Sequence, residues 1–225
     1  MVDSTSNRYT LQKFSETFLG YGDKESAKIW FIGIEEGKEF QKLEDLKTEA
    51  ENFQISKEGE SYHSPIYDVM TKIWEGLKCD DKQVSKAELF KKGNPVIQSN
   101  IYPLGKHSIY SWEKNYSEWF GFENEKEYYD WIESEVINKR FEIINNFKKE
   151  NDNLLIICFG KAEWKHYIQC FDLENNFYLG FNDDFRIYKE QKIILTPFFN
   201  AGRGMNNKNI GILVEKIKEL KLNPF

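Results

Sequence analysis

The sequence predicts an α/β protein, a three-layer α/β/α arrangement around a central four-stranded parallel sheet. Two observations predict this fold class. Four short, almost continuous apolar runs recur along the chain, and stretches with helical spacing of apolar residues separate them. Strands that are apolar on both faces and alternate with helices are typical of a parallel sheet covered on both sides. The four predicted strands are 28–33, 95–99, 153–158 and 192–195.

Composition favours one globular domain over residues 1–225. Of the 225 residues, 40% are apolar and 30% are charged, and no apolar run approaches the length that spans a bilayer. No signal peptide is visible, and three widely spaced cysteines form neither a disulfide framework nor a four-thiolate metal site. We therefore expect a cytoplasmic protein with no membrane association.

Apolar spacing and start signals predict the helices that precede the second strand. A first helix is predicted over 9–19 and ends at Gly20. The charged stretch 38–59 has the pattern of an amphipathic helix. Ser64 and Pro65 then form an N-cap and a first turn, which predicts that the next helix begins there.

The second half of the chain contains a long insert and two further helix patterns. The insert, 106–150, is rich in Trp, Tyr and Glu, and its second half, 124–149, is predicted to be a helix with Asn124 as N-cap. A short helix follows the third strand, and a final helix is predicted over 209–220. The segment 171–190 carries no clear pattern.

Polar residues follow each of the four predicted strands. The carboxyl ends of parallel strands meet at one edge of a sheet, and ligands bind at that edge. The sequence therefore predicts a ligand site built from residues that are far apart in the chain, namely Glu35, Glu36, Asn100, Lys161, Thr196 and Arg203.

The adjacent carboxylates Glu35 and Glu36 have two interpretations. They can be residues of a helix start, where the helix dipole favours negative charge. Alternatively, one of them is a general base or a partner for a developing positive charge. The flanking glycines, Gly33 and Gly37, permit close approach of a ligand and favour the second interpretation.

Asn100, Lys161 and Arg203 suggest recognition of a heterocycle and a phosphate. The amide of Asn100 either bonds to neighbouring backbone or presents a paired donor and acceptor to a planar ring. Lys161 lies at a predicted helix start, where a cation is favoured only beside an anion. Arg203 lies in the glycine-rich loop 196–207, which is either a flexible connector or a phosphate-binding loop.

Several common kinds of site have no support in the sequence. The three histidines lack the paired spacing of a zinc site, and no calcium-loop, dinucleotide-binding or Walker motif is present. No serine lies in a nucleophile elbow. We therefore expect no metal and no cofactor. The net charge of −6 gives no long-range attraction to nucleic acid, which would have to bind through a local basic patch.

The order of the motifs resembles that of the uracil-DNA glycosylase superfamily, over most of the chain. Gly33-Ile-Glu-Glu-Gly37 resembles the first motif of that superfamily, and Glu35 falls where many members have a water-positioning Asp or Asn. Ser99-Asn100 resembles its strand end, whose Asn reads the base. Phe159-Gly-Lys-Ala162 is similar to its Trp-Gly-x-x-Ala element, although the Ala comes one position early. Thr196-Pro197 resembles the His/Asn-Pro of its last motif.

The resemblance implies a glycosylase-like fold and hydrolysis of an N-glycosidic bond in DNA. An extruded base would stack on Tyr62 or Phe40, and Asn100 and Thr196 would bind it. Glu35 or Glu36 would position the attacking water. A local basic patch would hold the flanking phosphates, through Arg203, Lys161, Lys106, Lys38 and Lys208.

Two departures from the superfamily pattern leave other functions open. Glu36 stands in place of the usual Pro, and Thr196 replaces the His or Asn that stabilises the leaving base. A non-catalytic nucleotide or nucleic-acid binding module on the same fold is the main alternative, and an enzyme acting on a free nucleotide or nucleoside is another. A third is a protein partner docking on the aromatic insert 106–135, which contains Trp112, Trp119 and Trp131.

Overall fold

The computed structural model describes residues 4–35, 41–46, 65–78, 85–105, 112–174, 176–179, 184–200 and 204–225. Its helices are α1 (Ser4–Thr17), α2 (Pro65–Leu77), α3 (Lys114–Phe120), α4 (Glu125–Trp131), α5 (Ile137–Glu150), α6 (Trp164–Cys170) and α7 (Asn207–Glu219). Its strands are β1 (Tyr21–Gly22), β2 (Ile29–Gly33), β3 (Val96–Asn100), β4 (Leu155–Phe159), β5 (Tyr178–Leu179), β6 (Arg186–Tyr188) and β7 (Ile193–Thr196).

The strands form a mixed, mostly parallel sheet in the order β1-β3-β2-β4-β7-β6-β5. β2, β4 and β7 are parallel, and Cys158 lies opposite both Ile32 and Leu195. β1 pairs antiparallel with β3, β6 with β7, and β5 with β6. The α/β prediction is confirmed, and the four predicted strands are the inner ones.

The prediction of only four strands was wrong, because three short antiparallel strands extend the sheet at its edges. β1, β5 and β6 contain two or three residues each, too few to show an alternating apolar pattern. β5 and β6 fall in the segment 171–190, for which the sequence predicts no element.

The strands β2, β4 and β7 are mostly apolar because helices cover the sheet. Every residue of β2, β4 and β7 is buried. On one face, Phe31 and Ile157 belong to a core that includes Trp74 of α2 and Leu213 of α7, and these two helices pack on each other. α6 adds a polar tie, because the Tyr167 hydroxyl lies 3.2 Å from Ile32 O and 2.9 Å from Phe159 O.

Start signals in the sequence placed several helix boundaries correctly. α2 begins at Pro65, and Asn124 caps α4 because its side chain accepts a hydrogen bond from Glu127 N at 3.1 Å. The helix predicted over 124–149 is interrupted, however. Between α4 and α5 lies a π-helical segment, Ile132–Val136, after which Ile137 N donates to Ile132 O, five residues back.

The chain divides into two compact units. The first unit contains residues 1–20, 34–53 and 100–147, and the second contains 21–33, 54–99 and 148–225. In the first unit α1 packs against α3 and the π-helical segment. The single domain expected for 1–225 stays a prediction. Among the described residues, no helix has the length and apolar character needed to cross a bilayer.

A buried arginine joins three segments of the first unit. Arg140 of α5 is only 3% exposed. Its Nη1 donates to Ser15 O at 3.1 Å and to Phe18 O, both at the end of α1. Its Nη2 donates to Asn100 O at 2.8 Å. The guanidinium therefore satisfies carbonyls at the end of α1 that have no partner within the helix, and it fixes the end of β3 at the same time.

Replacing Arg140 by Met should destabilise the protein by roughly 3–5 kcal/mol, because three buried or partly buried carbonyls would lose a charged donor. Urea unfolding followed by circular dichroism measures this free energy. Lys139→Met is the matched control, since its ion pair with Glu16 lies at the surface and should contribute less than about 1 kcal/mol. Equal losses for the two variants would contradict the role assigned to Arg140.

Lys24, in the second unit, should make stability depend on alkaline pH. Burial lowers the pKa of Lys24 from 10.5 to about 8, and the charge of Glu150 opposes that shift. Between pH 8 and 10.5 the unfolded chain keeps a proton that the folded protein has released, so folding becomes more favourable as pH rises. Below pH 8 the cost of holding the charged amine is fully present.

Lys24→Met should therefore raise the free energy of unfolding at pH 7 by about 1 kcal/mol, a figure reduced because the side chain is partly exposed. The gain should shrink as pH rises from 8 towards 10.5. Thermal melts over pH 7–10.5 measure it, with the exposed Lys91→Met as control. If the gain in stability did not change with pH, the cost of burying the charged amine would not be its cause.

Candidate functional site

Five of the predicted site residues lie in the described part of the chain. Glu35 and Asn100 belong to the first unit, whereas Lys161, Thr196 and Lys208 belong to the second. The other predicted site residues lie outside the described residues, and these are Glu36, Lys38, Phe40, Tyr62, Lys106 and Arg203.

Glu35 lies two residues beyond β2 and is half-buried. The Tyr129 hydroxyl of α4 donates to Glu35 Oε1 at 3.3 Å. Burial raises the pKa of Tyr129 far above its ordinary value, and the charge of Glu35 raises it further. Tyr129 is therefore a neutral hydrogen-bond donor over the physiological pH range, and it orients the carboxylate.

Asn100 is the last residue of β3, and its backbone is held in place by Arg140. Its side-chain oxygen Oδ1 is buried, and within the described residues no donor reaches it. A buried acceptor without a donor is rare in folded proteins because it loses hydration without compensation. The amide oxygen is therefore a suitable place for the N–H of a ligand.

Glu35 and Asn100 start from neighbouring segments of the first unit. Tyr102 N, two residues after Asn100, donates to Ile34 O at 2.8 Å, and Ile34 precedes Glu35. The rings of Tyr102 and Tyr129 are 4.8 Å apart. These contacts link the carboxylate to the two tyrosines, and the amide belongs to the strand end two residues before Tyr102. We call Glu35, Asn100, Tyr102 and Tyr129 the carboxylate–amide site.

Thr196 ends β7 and is fully buried. Its hydroxyl lies 3.2 Å from Cys158 O and 3.0 Å from Pro197 O, and its carbonyl accepts from Gly160 N and Trp164 Nε1 at 3.1 Å each. The side chain is used within the fold as a donor to backbone. Its predicted contact with a base stays a prediction.

Lys161 and Lys208, which the sequence predicts to contact phosphates, lie in the second unit. Lys161 follows β4 in a 3₁₀ turn, and its Nζ lies 5.4 Å from the centre of the Trp164 ring and 3.7 Å from Asp184 Oδ1. Lys208 is exposed in the first turn of α7. Arg186 of β6 lies over the same ring, with its Cζ 5.0 Å from the centre of the Trp164 ring.

Sequence reasoning missed three residues of these sites. Tyr129 and Arg140 are single polar groups in a long helix pattern, and nothing local links them to Glu35 or Asn100. Arg186 falls in the segment without a predicted element. Its one signal was composition, because the chain has 4 arginines among 31 basic residues. Arginine in place of lysine indicates a need for planar, stacked or bidentate contacts.

The aromatic insert 106–135, proposed as a surface for a protein partner, mostly packs on itself where it is described. Trp112, Trp119 and Trp131 are half-buried. Trp112 contacts the rings of Tyr116, Phe122 and Tyr128, and its Nε1 donates to Ser117 Oγ at 2.8 Å. These tryptophans are partly covered, so partner docking on the insert stays a prediction.

No protein-family model matches this chain, and no curated protein matches it. Among the described residues, no three His, Cys, Asp or Glu side chains are grouped so as to hold a metal ion. Membership of the glycosylase superfamily therefore stays a prediction from the motifs.

The unpaired amide oxygen of Asn100 leads to a prediction about stability. Asn100→Leu should leave the free energy of unfolding unchanged or raise it by up to ~1 kcal/mol, because an unsatisfied buried acceptor is replaced by apolar atoms of similar volume. Ser99→Ala is the contrasting neighbour, since Ser99 Oγ accepts from Trp30 Nε1 at 2.7 Å. That variant should lose about 1–2 kcal/mol. Urea denaturation compares them, and a larger loss for Asn100→Leu would mean that the amide is needed by the fold.

Proposed function

We propose that the protein is a divergent member of the uracil-DNA glycosylase superfamily that flips a base from DNA and hydrolyses its N-glycosidic bond. The observation that carries the proposal is the carboxylate–amide site. It combines a half-buried carboxylate, oriented by Tyr129, with a buried amide oxygen on the neighbouring segment. A base hydrolase needs these two groups, one for water and one for the polar edge of the base.

The order of the parallel strands supports a ligand at this sheet edge. β3 runs parallel to β2, since Ile29 N donates to Pro95 O at their beginnings and Tyr102 N donates to Ile34 O just beyond their ends. Across the sheet, the four parallel strands lie in the order β3, β2, β4, β7. β2 is the first of them along the chain, and the order reverses beside it. Ligands of such sheets bind where the strand order reverses, next to the first strand, and Glu35 follows that strand.

The proposed reaction uses the residues in distinct roles. Asn100 Oδ1 accepts a hydrogen bond from an N–H of the extruded base. The Glu35 carboxylate orients a water and offsets positive charge on the sugar as the C1′–N bond breaks, with its electron pair going to the base. The water oxygen adds to C1′, and its proton leaves through Glu35. Lys161 and Lys208 stay predicted phosphate contacts of the second unit.

A second function, binding without cleavage, is favoured by Thr196. In the superfamily motif this position holds a His or Asn that stabilises the leaving base. Here the hydroxyl lies against Cys158 O and Pro197 O, within the fold. A module of this kind would bind the base or nucleotide through Asn100 and the basic residues, and would leave the glycosidic bond intact.

Oligonucleotides containing uracil, hypoxanthine or a mismatch test the proposal, with alkali cleavage of the abasic product. Strand scission should fall by about 10²–10⁴-fold in Glu35→Gln, which keeps the shape of the side chain but cannot take the proton. The exposed Glu118→Gln is the matched control and should keep wild-type activity. Glu36→Gln is run beside it, because it distinguishes the two neighbouring carboxylates.

Scission lost in Glu36→Gln and kept in Glu35→Gln would transfer the catalytic role to the other carboxylate. Absence of scission on every substrate, together with binding that Asn100→Leu weakens, would favour the non-catalytic module. Scission that survives both glutamine substitutions would contradict carboxylate catalysis.

A further inference from the structure

Arg186 lies at the carboxyl edge of the parallel strands although it belongs to an antiparallel one. It begins β6 and is paired with Leu195 of β7, the residue before Thr196. It therefore lies level with the end of β7 in the second unit. Its position at that edge comes from the added strand, which the sequence pattern did not predict.

Aromatic rings hold the guanidinium of Arg186 in place. Its Cζ lies 5.0 Å from the centre of the Trp164 ring and 4.8 Å from that of Phe177. Tyr188, two residues further along β6, lies 5.6 Å from Phe177, ring centre to ring centre. Burial raises the pKa of Tyr188, and a hydrogen bond and the charge from Arg186 oppose that shift. A stacked guanidinium keeps its N–H groups at the ring edge, where they can meet an anion.

A second cation lies on the same indole. Lys161 Nζ is 5.4 Å from the centre of the Trp164 ring, and the Lys161 side chain is 55% exposed. The indole is itself fixed, because its Nε1 donates to Thr196 O. Two positive charges share one ring, with Asp184 as the carboxylate beside Lys161. An anion bound beside this ring would interact favourably with both charges.

The other described arginines have different partners. Arg8 also lies over an aromatic ring, 4.2 Å from the centre of Phe122, but its Nε and Nη2 donate to Phe120 O and Gly121 O. Arg140 likewise donates to backbone carbonyls. For Arg186, no backbone carbonyl within the described residues accepts a hydrogen bond from its side chain. Its side chain hydrogen-bonds to Tyr188, and the forked guanidinium has further N–H donors for a ligand.

We propose that Lys161 and Arg186, held on Trp164, bind a phosphodiester group of a nucleic-acid strand. The forked donors of arginine match two phosphate oxygens, and lysine adds a point charge. The exposed ring of Phe198, just after β7, favours a nucleic acid over a free phosphate. A cationic edge combined with an exposed aromatic ring is typical of surfaces that track a strand backbone and stack its bases.

The proposal rests on the proposed function only for the class of ligand, and binding can be tested without any base excision. Fluorescence anisotropy of a labelled, undamaged single-stranded oligonucleotide is measured from 20 to 200 mM salt, roughly the range over which phosphate contacts dominate. Arg186→Gln should weaken binding about tenfold at low salt and reduce the slope of log K against log salt by about 0.7. Lys161→Gln should have a similar effect.

Matched variants separate this site from general charge effects. Lys189→Gln removes the same charge from the exposed turn after β6 and should leave the affinity within about twofold. Arg186→Lys keeps the charge but loses the stacked fork, so the salt slope should remain while the affinity falls. Since Lys161 is exposed, Lys161→Gln remains informative if Arg186→Gln fails to fold.

Three results would overturn the proposal. The first is an unchanged affinity and salt slope in Lys161→Gln. The second is a loss of affinity in Arg186→Gln and Lys161→Gln that only equals the loss in Lys189→Gln. The third is displacement of the oligonucleotide by equimolar inorganic phosphate. The last would assign the site to a free phosphate. The exposed Glu118→Gln should bind the oligonucleotide like the wild type. If no base is excised but Arg186→Gln still weakens binding of the oligonucleotide, the catalytic function is rejected and the binding site is supported.

Discussion

The contact of the Arg140 guanidinium with three backbone carbonyls is the constraint on which the first unit depends. It satisfies the carbonyls of Ser15 and Phe18 at the end of α1 and holds Asn100 O at the end of β3. A buried charge is costly unless hydrogen bonds surround it, so this arrangement tolerates little movement. The unpaired Oδ1 of Asn100 is consequently held on a fixed backbone.

The two units contain different kinds of polar group. In the first, burial and hydrogen bonding position a carboxylate and an amide beside two tyrosines. In the second, cations gather on a single indole at the strand ends, although the whole chain carries a net charge of −6. Local concentration of positive charge allows an acidic protein to bind a polyanion.

The inner sheet could be predicted from sequence because β2, β4 and β7 are buried on both faces and so form continuous apolar runs. Asn124 and Pro65 could also be predicted as helix starts, since capping is a local property. The contacts of Tyr129 with Glu35 and of Arg186 with Trp164 could not, because they join residues 94 and 22 positions apart through packing. The hydrogen-bond partners of Thr196 could not be predicted either, since the sequence does not distinguish a buried hydroxyl from one that binds a ligand.

The π-helical segment Ile132–Val136 separates Tyr129 from Arg140 on what is otherwise one long helix. Its hydrogen-bonded ring encloses one residue more than an α-helical turn. Loss of a single residue there would restore a regular helix and rotate α4 about its axis by roughly 100° relative to α5. Natural variation in helix length at this point can therefore change which side chain faces Glu35 while Arg140 keeps its hold on α1 and β3. The segment is a place where the surroundings of Glu35 can diverge without loss of the fold.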